Sequence, residues 1–345
     1  MSVLFKPLTI RGMTTRNRVA MSSMLMYMAG DDGVAGDRHL VHYGARILGG
    51  VGLVMTEVMA VAPEGRISES DLGLWDDAHV AGLQRITEFA HQHGAVMGAQ
   101  LAHAGRKATV SDAVAPSPIA YGDFELPREL QIEEIDGIVE AYGAAAKRAV
   151  ESGFDCVELH AAHGYLLHEF LSPVSNVRTD EYGGGFENRC RLLRRVVAEV
   201  RRVIPDDMPC FVRFSATDGV RGGSEVDESL RLAAGLANEG VDLFDVSAGN
   251  VAPGYAGEVY PGYQADYARE LKHELGVLTG TVGSVASPDL ADYLVSSGAA
   301  DLVFVGRALL RNPNWALDAA RGAEVDLDLA IPTYARATGP YARGF

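Results

Sequence analysis

The chain has 345 residues, of which 48% are hydrophobic, so it can bury a full core. Its formal net charge of -16 disfavours nucleic acid and anionic membranes as partners, because both are polyanions. No segment reaches the roughly 18 apolar residues of a membrane span, and the N-terminus lacks the apolar run of a signal peptide. The three cysteines are too far apart for a zinc site or C-x-x-C motif. We therefore expect a cytoplasmic protein that acts on a small molecule.

Short apolar segments alternate with longer segments of helical period along the whole chain. The predicted strands are 18–24, 53–58, 95–101, 156–160, 210–214, 243–246, 278–282 and 302–305. The predicted helices are 38–48, 77–93, 132–151, 187–204, 227–238, 264–275 and 288–297. Five of these helices should end at a C-capping glycine, namely Gly94, Gly153, Gly240, Gly276 and Gly298. The eightfold alternation predicts an α/β fold, a single (β/α)8 TIM barrel over residues 1–345, with a doubly wound open sheet as the weaker alternative.

The carboxyl ends of the predicted strands carry polar and ionisable side chains. Long connections, 103–131, 165–186 and 249–263, follow three of them. In a TIM barrel these ends and loops meet on one face, where substrate sites are built. We therefore expect the active site there.

The ends of the last two strands, "GTVGS" (280–284) and "VFVGRALLRNP" (303–313), carry glycines and an arginine. Main-chain N–H groups at these turns could hold a phosphate, with Gly283, Gly306 and Arg307 as the contributing residues. Two tight βα turns that bind nothing are the alternative. Gln100 and Arg213 end other strands and could contact a heterocycle or negative charge, or could be satisfied structural residues.

The segment "ELHAAHGYLLHEF" (158–170) contains three histidines and a tyrosine. A metal site would need further ligands and another spacing, which the segment lacks. His160 and His163 at a strand end could instead direct two N–H groups at one oxygen, and Tyr165 could deliver a proton. His168 is predicted to be structural.

Residues 160–193, "HAAHGYLLHEFLSPVSNVRTDEYGGGFENRCRLL", closely resemble the signature of the Old Yellow Enzyme family of FMN-dependent ene-reductases. The resemblance extends over almost the whole chain, through "LFKPLTIRGMTTRNR" (4–18), "AQLAHAGRKA" (99–108), "PGYQ" (261–264) and "GRALLRNPNW" (306–315). The paired histidines and the terminal "YARGF" (341–345) resemble the thermophilic-like bacterial class of that family.

The resemblance implies a noncovalent FMN, reduced by NADPH or NADH, that passes a hydride from N5 to an activated alkene. His160 and His163, aided by Tyr27, would hold the carbonyl or nitro oxygen, and Tyr165 would protonate the α-carbon. The implied FMN-binding residues are Ser22, Ser23, Met24, Leu25, Gln100, Arg213, Gly283, Gly306 and Arg307.

Two features of the sequence qualify the resemblance. Leu25 stands where the family usually has Thr or Cys beside the flavin, so the flavin's reduction or potential should be shifted. The family's class members insert a C-terminal arginine into a neighbouring subunit, which implies a homodimer or homotetramer. Arg343 in "YARGF" fits that role better than Arg336, while a frayed terminus is the alternative.

Two other functions stay open at this stage. One is an FMN-dependent desaturase or oxidase of a specialised metabolite on the same fold, which Leu25 could favour. The other is a flavin-free barrel lyase or isomerase that uses Arg307 to bind a substrate phosphate.

Overall fold

The computed structural model describes residues 2–110 and 112–327. Within them, eight parallel strands pair in chain order, and the last strand pairs with the first through Val303 and Val19. The strands are β1 (Val19–Met21), β2 (Leu53–Ala60), β3 (Val96–Ala102), β4 (Cys156–Ala161), β5 (Cys210–Ser215), β6 (Leu243–Ser247), β7 (Leu278–Thr281) and β8 (Leu302–Val305). The predicted (β/α)8 TIM barrel is confirmed, and the open-sheet alternative is wrong.

One long helix follows each strand and packs on the outside of the barrel. The helices are α1 (Asp37–Leu48), α2 (Val80–Gln92), α3 (Ile132–Glu151), α4 (Phe186–Val203), α5 (Val226–Asn238), α6 (Ala265–Leu275), α7 (Pro288–Ser296) and α8 (Trp315–Gly322). Helix α8 was not predicted, although Trp315, Ala316, Ala319 and Ala320 give it an apolar face. All five predicted capping glycines have positive φ, and Gly276 caps α6 by donating to Lys272 O.

The first predicted strand is shorter than expected, because the pairing stops at Met21. Ser22 still donates its main-chain N–H to Val305 O, but the N–H of Met26 donates to the Glu57 carboxylate instead of a neighbouring strand. Ser22 to Leu25 therefore form a loop at the carboxyl end of β1. Similarly, the predicted helix 77–93 begins as a 3-10 turn, Asp77–His79, and is α-helical only from Val80.

An antiparallel hairpin (Leu8–Ile10 with Met13–Thr15) closes the amino-terminal end of the barrel. Its Ile10 and Met13 pack in one buried cluster with Leu53, Phe211 and Phe304 of the barrel interior. Burying these side chains contributes roughly 1.5–3 kcal/mol each to stability. The opposite end carries the remaining short elements: Pro63–Gly65, Leu72–Gly73, Gly105–Lys107, Val114–Ala115, Arg128–Glu129, Leu166–Leu171 and Arg307–Arg311.

Alternation of side chains along the strands builds a polar layer above this apolar floor. Cys156, Phe211 and Leu243 belong to the interior cluster, whereas their successors Val157, Val212 and Phe244 pack against the helices. Because the side-chain period of a strand is two, the next inward positions are Glu158, Arg213 and Asp245. His160, Ser215 and Ser247 follow them at the mouth. The fold thus delivers polar groups to the face where the site was expected.

Candidate active site

A cavity of about 360 Å³ opens at the carboxyl ends of β5 to β8. It brings together five of the predicted site residues, His163, Arg213, Gly283, Gly306 and Arg307. The other predicted residues in the described part of the chain lie beside it and do not line it: Ser22, Ser23, Met24, Leu25, Tyr27, Gln100, His160 and Tyr165.

The turns after β7 and β8 form one side of the cavity, as an anion cradle would require. Gly283 has φ +113°, and a Cβ there would lie 3.1 Å from the Tyr263 ring, so no other residue fits without strain. Arg307 is exposed, and its Nη2 donates to Ser284 Oγ at 3.1 Å. An exposed guanidinium beside glycine turns can bind a phosphate through charge and main-chain N–H groups.

The loop after β1 lies against this cradle. Ser22 is buried, and Ser23 Oγ is buried without a partner in the described part of the chain. A Cβ on Gly306 would lie 3.5 Å from Met24 Sδ, which places the loop next to the turn after β8. Leu25 is half-buried.

Glu57 on β2 holds the end of the same loop. Its side chain is 0% exposed, and its Oε2 accepts the N–H of Met26 at 2.9 Å. His39 Nε2 and Tyr43 Oη both lie 3.4 Å from its Oε1. Burial raises the pKa of Glu57 to about 7. The loop then presents Tyr27, which has φ +53° and is 52% exposed at the mouth.

The barrel interior beneath the mouth holds two carboxyl groups, those of Glu158 and Asp245. Gln100 Nε2 donates to Glu158 Oε1 at 2.7 Å, and Arg213 Nε lies 3.1 Å from Asp245 Oδ2. Burial raises the pKa of both Glu158 and Asp245, and the Arg213 charge opposes the rise.

His160 and His163 meet at the end of β4, as the sequence predicted. Their ring centroids are 5.1 Å apart with the rings nearly perpendicular, and the Tyr165 ring lies 5.0 Å from that of His160. Burial, with the Arg213 charge second, holds the pKa of both imidazoles well below the usual value, so both are neutral near pH 7. Burial also raises the pKa of Tyr165, which keeps its hydroxyl protonated.

Three groups fix His163, which has φ +58°. Its N–H donates to Ser215 Oγ at 3.2 Å, and its carbonyl accepts from Lys107 Nζ at 2.6 Å. Its Nε2 lies 2.7 Å from Ser247 Oγ. One imidazole nitrogen of the expected oxygen clamp is therefore already bonded to the protein.

His168 has the structural environment that was predicted for it. Its Nε2 lies 2.8 Å from Asp218 Oδ1, and its Nδ1 accepts the N–H of Gly164 at 2.9 Å. It thereby supports the turn between His163 and Tyr165 from below. Within residues 2–110 and 112–327 no cluster of three or more His, Cys, Asp or Glu could hold a metal ion.

Sequence reasoning missed four residues of this region: Glu57, Lys107, Ser247 and Gln264. Ser247 and Gln264 line the cavity, and Gln264 Oε1 is buried without a partner in the described residues. Gln264 lies within the quoted segment "PGYQ" and Ser247 is the last residue of β6, so motif and strand-end position were the signals that could have identified them. Arg336 and Arg343 lie outside the described residues.

The groups at the mouth fit the FMN that the resemblance implies. The cradle of Gly283, Gly306 and Arg307 suits its phosphate, and the orphaned Gln264 Oε1 offers an acceptor to a polyhydroxyl chain. The interior Arg213 adds a positive charge beneath the mouth. No helix among the described residues has the length and apolarity to span a membrane.

Comparison with known proteins identifies the family. Residues 3–326 match the model of the NADH:flavin oxidoreductase / NADH oxidase family. The NADPH dehydrogenase of Bacillus cytotoxicus is 47% identical over 343 residues, which cover 98% of each chain.

Two solved structures share the fold at lower identity. Morphinone reductase is 27% identical with a TM-score of 0.82, covering 96% of this chain and 92% of that one. A 2-naphthoyl-CoA reductase complex is 26% identical with a TM-score of 0.87, covering 93% of this chain. This chain spans about half of that longer reductase, 52%. The chain belongs to the NADH:flavin oxidoreductase / NADH oxidase family, that of Old Yellow Enzyme, and is an FMN-dependent NAD(P)H oxidoreductase.

Proposed function

We propose that this oxidoreductase reduces the activated C=C bond of α,β-unsaturated carbonyl or nitro compounds. The observation that carries the proposal is the triangle of His160, His163 and Tyr165 at the barrel mouth, with rings 5.0 and 5.1 Å apart. Two neutral imidazoles can each donate one N–H to an oxygen that gains negative charge. A protonated phenol beside them supplies the proton that the α-carbon needs. When bound, FMN supplies the hydride, which it receives from NADPH or NADH.

The same proposal assigns the FMN-binding groups. Gly283, Gly306 and Arg307 bind the phosphate, and Gln100 and Arg213 face the ring from the interior. Ser22, Ser23, Met24 and Leu25 lie along its edge, and Tyr27 with the two histidines contacts the substrate. The family's flavin dependence removes the flavin-free lyase or isomerase from consideration.

Anaerobic spectroscopy of the purified enzyme tests the activity. NADPH should bleach the flavin absorbance, and an enone, nitroalkene or maleimide should restore it without oxygen, with one saturated product per flavin. If oxygen restores the flavin absorbance and none of these alkenes does, the proposal is refuted. Bleaching by a saturated carbonyl compound in the absence of NADPH would establish the desaturase alternative.

We further propose that the enzyme is a cytoplasmic homodimer or homotetramer and that Arg343 completes a neighbouring subunit's substrate site. The support is the terminal "YARGF" motif. Arg343→Ala should raise the enone KM and leave FMN bound, whereas Arg336→Ala should have little effect. Unchanged kinetics after deletion of residues 341–345, or a monomeric mass by light scattering, would exclude this arrangement.

A further inference from the structure

Four polar side chains share the barrel interior directly above its apolar floor: Gln100, Glu158, Arg213 and Asp245. Glu158 and Asp245 are each 0% exposed, and the other two are at most 6% exposed. Two fully buried carboxyl groups therefore face one guanidinium that is itself only 6% exposed. If both carboxyls were ionised, one negative charge would stay uncompensated, which is costly in a dry interior.

The neighbouring strands supply no second positive charge to this cluster. Strand β3 contributes Gln100, β5 contributes Arg213 and Cys210, and β6 contributes Asp245. On β4 itself, Cys156 lies below Glu158 and the neutral His160 above it. Burial raises the pKa of both thiols, so they are neutral and cannot offset a charge.

The contacts divide the two carboxyl groups into different roles. Asp245 is the carboxyl in contact with the guanidinium: its Oδ2 lies 3.1 Å from Arg213 Nε, an ion pair without hydrogen-bond geometry. Glu158 has only the amide of Gln100, which donates to its Oε1 at 2.7 Å. Oε2 of Glu158 is buried and makes no hydrogen bond to any described residue. Because Glu158 contacts no cation, a neutral carboxylic acid with its carbonyl oxygen toward the amide costs less to bury here than a carboxylate does.

We propose that Glu158 carries a proton at neutral pH, so that the cluster beneath the flavin is electrically neutral, and that it is a positioning residue for Gln100. By accepting from Nε2, Glu158 fixes the amide so that Gln100 presents its carbonyl oxygen to the mouth. This inference rests on the proposed position of FMN over the mouth. It adds to the proposed function a statement about charge: the groups directly beneath the FMN carry no net charge at neutral pH.

The pKa directions agree with this assignment. Burial, followed by the Asp245 charge, raises the pKa of Glu158; the Arg213 charge opposes the rise in both carboxyls, and only Asp245 is in contact with the guanidinium. The two carboxyls titrate as a pair, with the proton on the one that lacks the guanidinium. Ionisation at alkaline pH places a negative charge under the cofactor. Because reduction adds negative charge to a flavin, that ionisation lowers the midpoint potential.

The test compares Glu158→Gln with Glu169→Gln in the holoenzyme. Glu169 is a matched control, since it is equally buried and also has a raised pKa but contacts the N–H of Arg106 instead of Gln100. Infrared difference spectra, wild type minus variant, should show a protonated carboxyl band of Glu158 near pH 7 that disappears at alkaline pH. The midpoint potential of Glu158→Gln should equal that of the wild type near pH 7 and lie above it near pH 10. Glu169→Gln should follow the wild type throughout.

Asp245→Asn provides a second route if Glu158→Gln loses FMN. Arg213 would then have Glu158 as its only carboxyl partner, and the carboxyl band of Glu158 should vanish already near pH 7. A carboxylate band for Glu158 at neutral pH in the wild type would overturn the proposal. A potential displaced equally at all pH values in Glu158→Gln would also overturn it. No alkene is used, so failure here is distinct from failure of the proposed ene-reduction.

Discussion

Nε2 of His163 lies 2.7 Å from Oγ of Ser247, two strands further round the barrel. A neutral imidazole has a single N–H, and the partner of one nitrogen decides which nitrogen carries that proton. We expect Ser247 Oγ to donate to Nε2, which leaves the N–H on Nδ1 for the substrate oxygen of the proposed clamp. The clamp proposed for the substrate depends on a residue that sequence reasoning did not assign to the site.

Replacing Ser247 with Ala should leave His163 free to populate both tautomers. Fewer molecules then hold an N–H toward the substrate, so kcat/KM for an enone should fall by about 10-fold or more. Steady-state kinetics together with 15N NMR of the His163 ring measure both effects. Ser229→Ala is the control, since its hydroxyl bonds Ala216 O away from the cavity. An unchanged tautomer ratio in Ser247→Ala would contradict this role.

Replacing Tyr165 with Phe should separate the two half-reactions. Loss of a positioned proton donor should slow reduction of an enone by about 10²–10⁴-fold, while bleaching of the flavin by NADPH proceeds unchanged. In the wild type the pKa of Tyr165 is raised, so the pH profile of the enone rate should show no decrease from ionisation of Tyr165 across the usual assay range. Anaerobic stopped-flow absorbance resolves the two steps. An equal loss in both would show that Tyr165 supports the site rather than donates the proton.

Leu25 at the half-buried edge of the loop after β1 can donate no hydrogen bond. Leu25→Thr or Leu25→Cys places a donor there, and a donor favours the electron-rich reduced flavin. A net hydrogen bond of about 0.5–1.5 kcal/mol corresponds to an increase of about 10–30 mV in the two-electron midpoint potential. Leu25→Val is the matched control, because it has the shape of Thr without the hydroxyl. Equal potentials and reductive rates in the Thr and Val variants would remove any role for the donor.

The sequence was most informative where chemistry follows strand periodicity. Counting by two from Cys156 places Glu158 and His160 inside the barrel, and the structure has them there. The same rule predicts that Arg213 points into the barrel beneath the mouth, and the strand order predicts that the two glycine turns lie together. These features depend on local pattern and on closure of a regular barrel, both of which a single sequence reveals.

The remaining features depend on contacts between distant segments. Ser247 contacts His163 across 84 residues, and Glu57 accepts the N–H of Met26, in the loop after β1, across 31 residues. The αL conformation of His163, a non-glycine residue, is imposed by Ser215, Lys107 and Ser247 together. No local propensity indicates such a conformation, so its partners could not be named from the chain alone.

Glu169 should make the folded protein less stable as pH rises. It is 0% exposed, and burial raises its pKa to about 8 from an ordinary 4.5. Between these two values the folded state binds the proton that the unfolded state has lost. The free energy of unfolding therefore falls by about 1.4 kcal/mol per pH unit for this group.

Glu169→Gln removes this contribution and can still accept the N–H of Arg106 through its amide oxygen. Urea unfolding should give similar stabilities for variant and wild type near pH 4, and a growing advantage for the variant toward pH 8. Glu140→Gln, on the exposed face of α3, should leave the pH dependence unchanged. If the curves of Glu169→Gln and wild type run parallel from acid to alkaline pH, Glu169 is ionised in the fold and the positive charges of Arg106 and Lys107 outweigh its burial.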